Sequence, residues 1–260
     1  VSFCLGSKIS MMNLDIFSSV NIETTQDSSH STLTYIFEEL PAYIVIPYFD
    51  KTDQDGWRAA VVLASLNFLG NDIRLEATAR YGFRPSFASV QEYMFVVSSP
   101  YFFDLPIEYE VTYIKTERYN TVLSFNENSH LFQGEFSYPL LGKLDILWGG
   151  RSYYMVSDKA EIMSTGFLHE TANRLHIGFS HDSRNARFNP FEGHYAEARI
   201  SQTGLITAGD IEYTEYLLDI RKYFHPAPHH LFRFYGLGEH RNGQMSQYEY
   251  YRSGGANVLA

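Results

Sequence analysis

Residues 181–201, HDSRNARFNPFEGHYAEARIS, crowd an imidazole, a hydroxyl, a carboxylate, a guanidinium and an amide into one short run. Read as chemistry, His181, Asp182 and Arg184 would form an acid–base group, with Ser183 as the nearest nucleophile. Such a nucleophile needs a base within hydrogen-bond reach and a third group to orient that base. No spacing in the sequence argues for a His–Asp pair on Ser183. The same residues have a sufficient structural use. Asp and Asn cap tight turns through side-chain-to-backbone bonds, Pro190 fixes φ, and Gly193 admits positive φ. The favoured reading is therefore a turn motif built on Asp182, Arg184, Asn185, Pro190 and Gly193, with a partner contact as its second use.

Other candidate clusters are weaker. FHPAPHH offers His225, His229 and His230 as metal ligands, but two of them are adjacent and would point to opposite faces of a strand. Pro226 and Pro228 make that stretch a stiff turn. Asp50, Asp53 and Asp55 in DKTDQDG suggest a calcium loop, yet no Glu stands at the twelfth position such a loop requires. No Gly-rich phosphate loop precedes a helix. Cys4 is the single cysteine, which rules out an internal disulfide and a Cys-based metal site. No catalytic, cofactor or metal site is expected.

The elements that would carry these residues are strands. The chain has 260 residues and a formal net charge of −10, which argues against a nucleic-acid binder. Its 20 Tyr and 20 Phe favour strands and suit the aromatic belts of membrane proteins. No apolar run approaches the roughly 18 residues of a membrane helix, and no signal peptide is visible at the start.

From residue 43 the hydrophobic period is two. Ile73, Leu75, Ala77, Ala79 and Tyr81 share one face, against Arg74, Glu76, Thr78 and Arg80. Ile107, Tyr109, Val111 and Tyr113 face away from Glu108, Glu110 and Thr112. Leu175, Ile177 and Phe179 oppose Arg174, His176, Ser180 and His181. Tyr216, Leu218 and Ile220 oppose Glu215, Asp219 and Arg221, with Leu217 interrupting the polar side. Charges of both signs on the polar face can pair between neighbouring strands.

Turn signals give about eleven strands, near 43–50, 57–67, 73–83, 90–99, 107–117, 129–138, 143–156, 173–182, 194–203, 211–224 and 229–238. Alternation of this kind fits a soluble sandwich or a membrane barrel. Connector length separates them. FLGND, YFFDLP, LLGK and HPAP are short, whereas YNTVLSFNENS, SDKAEIMSTGFLHETA and the tail from Glu239 are long and alternate with them. Short turns on one rim and long loops on the other are the asymmetry of an outer-membrane barrel. Eleven up-and-down strands cannot close an antiparallel ring, and an open edge is costly in lipid. The expectation is a piece of a longer barrel.

Residues 1–41 differ from the rest of the chain. Ile9, Met12 and Ile16 read as the end of a helix, followed by a strand at Val20 to Glu23 and a second, TLTYIFEEL, with Leu33, Tyr35 and Phe37 on one face. This is half of a small α+β unit, ended by Pro41.

The sequence resembles the BamA/TamA outer-membrane barrel-assembly superfamily, also called bacterial surface antigens. MMNLDIFSSVNIE with TLTYIFEEL resembles the end of a last POTRA domain. DGWRAAVVLASLNFLGNDIRLEATARYG resembles the second and third barrel strands, with their turn at Asn67 to Gly70. SSPYFF and YPLLGKLDI resemble the turns after the fourth and sixth strands. Asp182, Arg184, Pro190 and Gly193 match the Asp-x-Arg…Pro-x-x-Gly turn between the eighth and ninth. YYRSGGANVLA resembles the approach to the sixth extracellular loop through Gly254, Gly255 and Asn257, but stops before that loop's Arg-Gly-aromatic tip.

The resemblance implies an all-β, antiparallel up-and-down transmembrane β-barrel, with about eleven of about sixteen strands present. Residues 1–41 would be the C-terminal part of a POTRA domain, and 42–260 the N-terminal part of the barrel. It implies no enzyme activity and no cofactor. Instead it implies a factor that receives unfolded outer-membrane protein clients and inserts them through a lateral seam. Tyr43, Val45, Pro47 and Phe49 on the first strand would line the seam. The lipid bilayer and accessory lipoproteins are the other partners, and the location is the outer membrane of a Gram-negative bacterium or a related organelle. The alternatives are the barrel of a two-partner secretion transporter or of a patatin-like phospholipase, and, from another class, a soluble β-sandwich binding module.

Overall fold

The computed structural model describes residues 17–26, 31–52, 56–83, 90–120, 123–186, 190–204, 207–227 and 230–246. Two strands, β1 (Phe17–Gln26) and β2 (Ser31–Glu39), pair antiparallel as a separate two-stranded sheet. Val20 is buried, and Tyr35 stacks on Phe37 with ring centroids 6.2 Å apart. The expected helix around Ile9 to Ile16 lies outside the described residues, as do Cys4, Asp53, Asp55, His229, Gly254, Gly255 and Asn257.

After a link at 40–43 come eleven strands among the described residues. They are β3 (Ile44–Thr52), β4 (Gly56–Phe68), β5 (Ile73–Phe83), β6 (Val90–Ser99), β7 (Glu108–Asn120), β8 (Phe125–Leu141), β9 (Leu144–Ser157), β10 (His169–Asp182), β11 (Gly193–Thr203), β12 (Glu212–Ala227) and β13 (His230–Gln244). Each pairs antiparallel with the next in sequence, in one sheet whose spatial order is the chain order. This is the eleven-strand meander that the alternation predicts, with each strand overlapping its expected span.

The register makes that alternation three-dimensional. One row of facing residues runs His240, Tyr216, Ile200, Ile177, Trp148, Phe136 and Tyr109 across β13 to β7. The neighbouring row, one residue along, runs Arg241, Glu215, Ser201, His176, Gly149, Glu135 and Glu110. Successive side chains point to opposite faces, so the first row lies on an apolar outer wall and the second on a charged inner one. His181 departs from the expectation. Its parity is that of Ile177 and Phe179, and its ring stacks on His194 of the outer face at 4.9 Å.

Two long loops are shorter than their polar composition suggests. β7 runs to Asn120 and β8 starts at Phe125, so most of YNTVLSFNENS is ladder, and β10 already begins at His169. Polar side chains do not break a strand whose backbone bonds continue beyond an apolar belt. The inner face at this loop end holds a buried cluster of Phe125, Tyr153, Met155, Ile162, Met163, Ala172, Ile211 and Tyr213. Ile162 comes from a 3₁₀ turn, Ala160–Ile162, so the 158–168 loop folds inward over the wall rather than standing in solvent. The fully buried Glu170 carboxylate fastens it, accepting from the Ser164 N–H at 2.8 Å, from its hydroxyl at 2.9 Å, and from the Ser246 hydroxyl.

Candidate functional site

Three features of this scaffold could act on another molecule: the turn after β10, the charged inner wall, and the first barrel strand, β3. The turn leaves the rim that also carries the link from β2. Its neck extends the β10–β11 ladder, since the Ser183 N–H donates to the His194 carbonyl at 2.8 Å and the Asn185 N–H to the Glu192 carbonyl at 3.0 Å. Asn185 Oδ1 accepts the N–H groups of Phe191 and Glu192, both at 3.1 Å. Asp182 accepts the backbone N–H of Arg184 at 3.0 Å and grips its guanidinium through both oxygens, at 3.0 and 2.7 Å. That carboxylate raises the Arg184 pKa above its ordinary value. The guanidinium lies over the Tyr195 ring at 4.9 Å, with Arg221 over the same ring at 5.2 Å. Pro190 is buried, and Gly193 has φ +103°. Asp182, Arg184 and Asn185 thus bond within one turn, which ends at Gly193 in left-handed backbone.

One contact is not visible in the sequence. Ser183 Oγ lies 2.8 Å from His194 Nδ1, a nucleophile–base distance. The hydroxyl also accepts the His194 N–H at 3.0 Å. The imidazole lies flat against the His181 ring. The pair closes the neck of the turn.

The inner wall is a network of ion pairs. Asp50 pairs with Arg58 and Glu92 with Arg80, whose guanidinium also donates to the Tyr48 hydroxyl at 2.6 Å. Arg118 donates to Glu127 at 2.9 Å. Glu135 on β8 takes His176 Nε2 from β10 at 2.8 Å and Arg199 from β11 at 3.5 Å. This reach across β9 depends on Gly149, where a Cβ would stand 2.2 Å from the Gly134 carbonyl oxygen and 2.7 Å from the His176 ring. Gly149→Ala is therefore expected to cost at least about 2 kcal/mol through overpacking, read as a lowered urea midpoint in detergent micelles. A Cβ at Gly134 would meet only a Phe136 ring carbon at 3.5 Å, so Gly134→Ala should be close to neutral. Equal losses in the two variants would refute the packing argument.

Among the described residues no three His, Cys, Asp or Glu side chains converge as a metal site. His225 instead sits edge-on to Phe191 at 5.7 Å, and Asp50 is taken by Arg58.

Among the described residues β3 pairs with β4, through the register Ile44↔Ala64 to Thr52↔Gly56. Val45, Pro47 and Phe49 share its outer face, and Phe49 is 76% exposed. Pro47 has no N–H to give to a ladder on either side. Tyr48 and Asp50 turn inward to Arg80 and Arg58 and tie this edge to the wall.

An Omp85 superfamily domain model matches residues 67–259. The chain belongs to the Omp85 superfamily. Solved structures agree on the fold of this Omp85 chain. BamA from Haemophilus ducreyi, lacking POTRA domains 1–3, superposes with a TM-score of 0.63 at 12% identity, covering 95% of the present chain and 51% of that one. CdiB from Escherichia coli gives 0.55 at 10% identity, covering 92% and 48%, and CdiB from Acinetobacter baumannii 0.55 at 13%, covering 91% and 47%. The Omp85 chain thus spans about half the length of these structures. No curated protein matches the sequence.

Proposed function

We propose that this Omp85 chain is part of an outer-membrane assembly factor of a Gram-negative bacterium, which inserts unfolded β-barrel clients at the β3 edge. Residues 1–41 are read as the end of a POTRA domain that delivers clients, with accessory lipoproteins as further partners. The observation that carries the proposal is Pro47 within β3: it has no N–H for a ladder, and Val45 and Phe49 flank it on an exposed apolar outer face. A strand whose ladder is interrupted by a proline pairs weakly with a closing neighbour, and client strands can add there by β-augmentation. The fold similarity to BamA supports this reading.

The fold similarity to CdiB favours a second one, a two-partner secretion transporter in which the polypeptide passes along the charged inner wall. Photo-crosslinking separates them. A crosslinker at Phe49, on the edge, is expected to capture nascent barrel clients, and one at Gln133, on the inner wall, to capture few. Capture of a secreted protein at Gln133 with none at Phe49 would replace insertion by secretion.

A further inference from the structure

The β6–β7 turn is built with the wrong residues for its geometry. Phe102 and Leu105 exchange backbone hydrogen bonds of 3.1 Å each, leaving Phe103 and Asp104 at the corners with φ +49° and +63°. Positive φ at both corners belongs to Asn, Asp and Gly, because a Cβ crowds the following carbonyl. Asp104 suits it; Phe103 does not. Nor does Phe103 gain burial in exchange. It is 84% exposed and touches the Phe102 ring at a centroid distance of 4.6 Å. The preceding turn on the same rim repeats the pattern, with Leu69 at φ +58° and 78% exposed. The next turn presents Leu141, 80% exposed, beside Leu140. Three adjacent turns thus hold large apolar side chains out at or beside their tips: Phe103 and Leu69 in strained backbone, and Leu141 at the end of β8. Strain held at an exposed tip points to a ligand that covers the tip.

We propose that these three turns, led by Phe103, are immersed in the headgroup–acyl boundary of the membrane leaflet on that rim. This rests on the membrane-barrel reading above. Continuity carries the choice of lipid. Phe103 leads through Phe102 to Tyr109, Phe136 and Trp148 on the outer wall, with centroid steps of 5.5, 5.9, 6.5 and 5.7 Å. The length of the outer apolar stripe carries it further. On β7 the outward residues Tyr109, Val111 and Tyr113 are followed by Lys115 and Glu117, ion-paired at 2.7 Å. From Tyr109 to Tyr113 a strand rises about 13 Å, and less along a tilted barrel axis, whereas the apolar band of such barrels is about 25 Å tall. Immersing the turn supplies the missing height. A large amphipathic or aromatic ring is the side chain that such a boundary favours.

The test is spin-label accessibility in the intact protein, in an otherwise cysteine-free background, folded into phosphatidylethanolamine–phosphatidylglycerol vesicles. Labels at Phe103→Cys and Leu141→Cys are expected to relax several-fold more with oxygen than with a water-soluble nickel chelate, as at the outer-wall reference Phe179→Cys. A nickel response equal to that of the loop reference Glu161→Cys overturns the proposal while leaving the barrel intact. Low accessibility to both reagents means that a protein surface covers the turn, and overturns the lipid assignment. A nickel response at Phe179 refutes the membrane-barrel reading itself. Phe103→Asn gives an independent arm: it relieves the corner, yet insertion into vesicles should slow several-fold. Insertion at an unchanged or faster rate overturns the proposal.

Discussion

Gly193→Val is expected to remove nearly all folded, heat-modifiable protein, and Asp182→Ala to lower it several-fold. At φ +103° a β-branched residue is strained whatever surrounds it. The surroundings are also closed: a Cβ would stand 2.3 Å from the Ser183 carbonyl oxygen and 2.8 Å from the Arg184 Cα. These are backbone atoms of the opposite side of the neck, so relief means breaking the Ser183–His194 and Asn185–Glu192 bonds. Strain of about 1–3 kcal/mol then adds to several lost hydrogen bonds of about 1 kcal/mol each, against a total stability of about 5–15 kcal/mol. Asp182→Ala removes one turn-capping bond and a two-pronged ion pair but leaves the backbone path open, so its loss is smaller. The measurement is the fraction of unheated protein that migrates as the compact form on a denaturing gel. Wild-type levels in Gly193→Val would show that the turn is not a staple, and a partner contact would become the better use of the motif.

The contrast between this turn and the inner wall shows which structure a sequence carries openly. Asp, Asn, Pro and Gly act on the backbone within a few residues of themselves. A turn at 182–193 is therefore expected from the types alone, and the Asp182 and Asn185 side chains do bond the backbone there. Period two is equally local, which is why Arg74 and Glu76 fall on the inner face as their spacing predicts. For His181 polarity and parity disagree, and parity prevails: β10 continues unbroken to Asp182, so the imidazole must point outward with Ile177 and Phe179. The Ser183–His194 contact joins two strands through a ten-residue turn and has no local signature. Gly149 in a strand announces a close approach, but only the register shows that His176 of β10 is what approaches. The 158–168 stretch reads only as a long connector, yet its Ile162 and Met163 belong to the buried cluster. Partners that are distant in sequence are the part that composition and spacing leave unspecified.

The same register gives the inner wall a centre on which the loop end of the barrel depends. Glu215→Ala is expected to destabilise the protein by about 3 kcal/mol, because it strips a buried carboxylate from two guanidinium groups. Arg174 NH1 donates to Oε1 at 2.8 Å, and Arg241 Nε sits 2.7 Å from Oε2 as an ion pair. Both cations also flank the buried Tyr213 ring, at 5.7 and 5.8 Å, and Arg174 donates to its hydroxyl at 2.8 Å. Glu215 is 5% exposed and the two arginines 14% and 15%, so water screens little of the loss. Glu239 pairs with the same Arg241 from a more open position. Its removal leaves Arg241 to Glu215 and should cost under about 1 kcal/mol. Glu215→Gln, which keeps the shape and part of the bonding, should fall between. In a Glu215→Ala, Arg174→Ala double variant the loss should be smaller than the sum of the singles, since the second change removes a cation the first had orphaned. Urea midpoints in detergent micelles, read by heat modifiability, give all five values, the Arg174→Ala single included. Glu215→Ala no worse than Glu239→Ala would mean that the wall is held by its strands alone, and that its charges are free for a passing polypeptide.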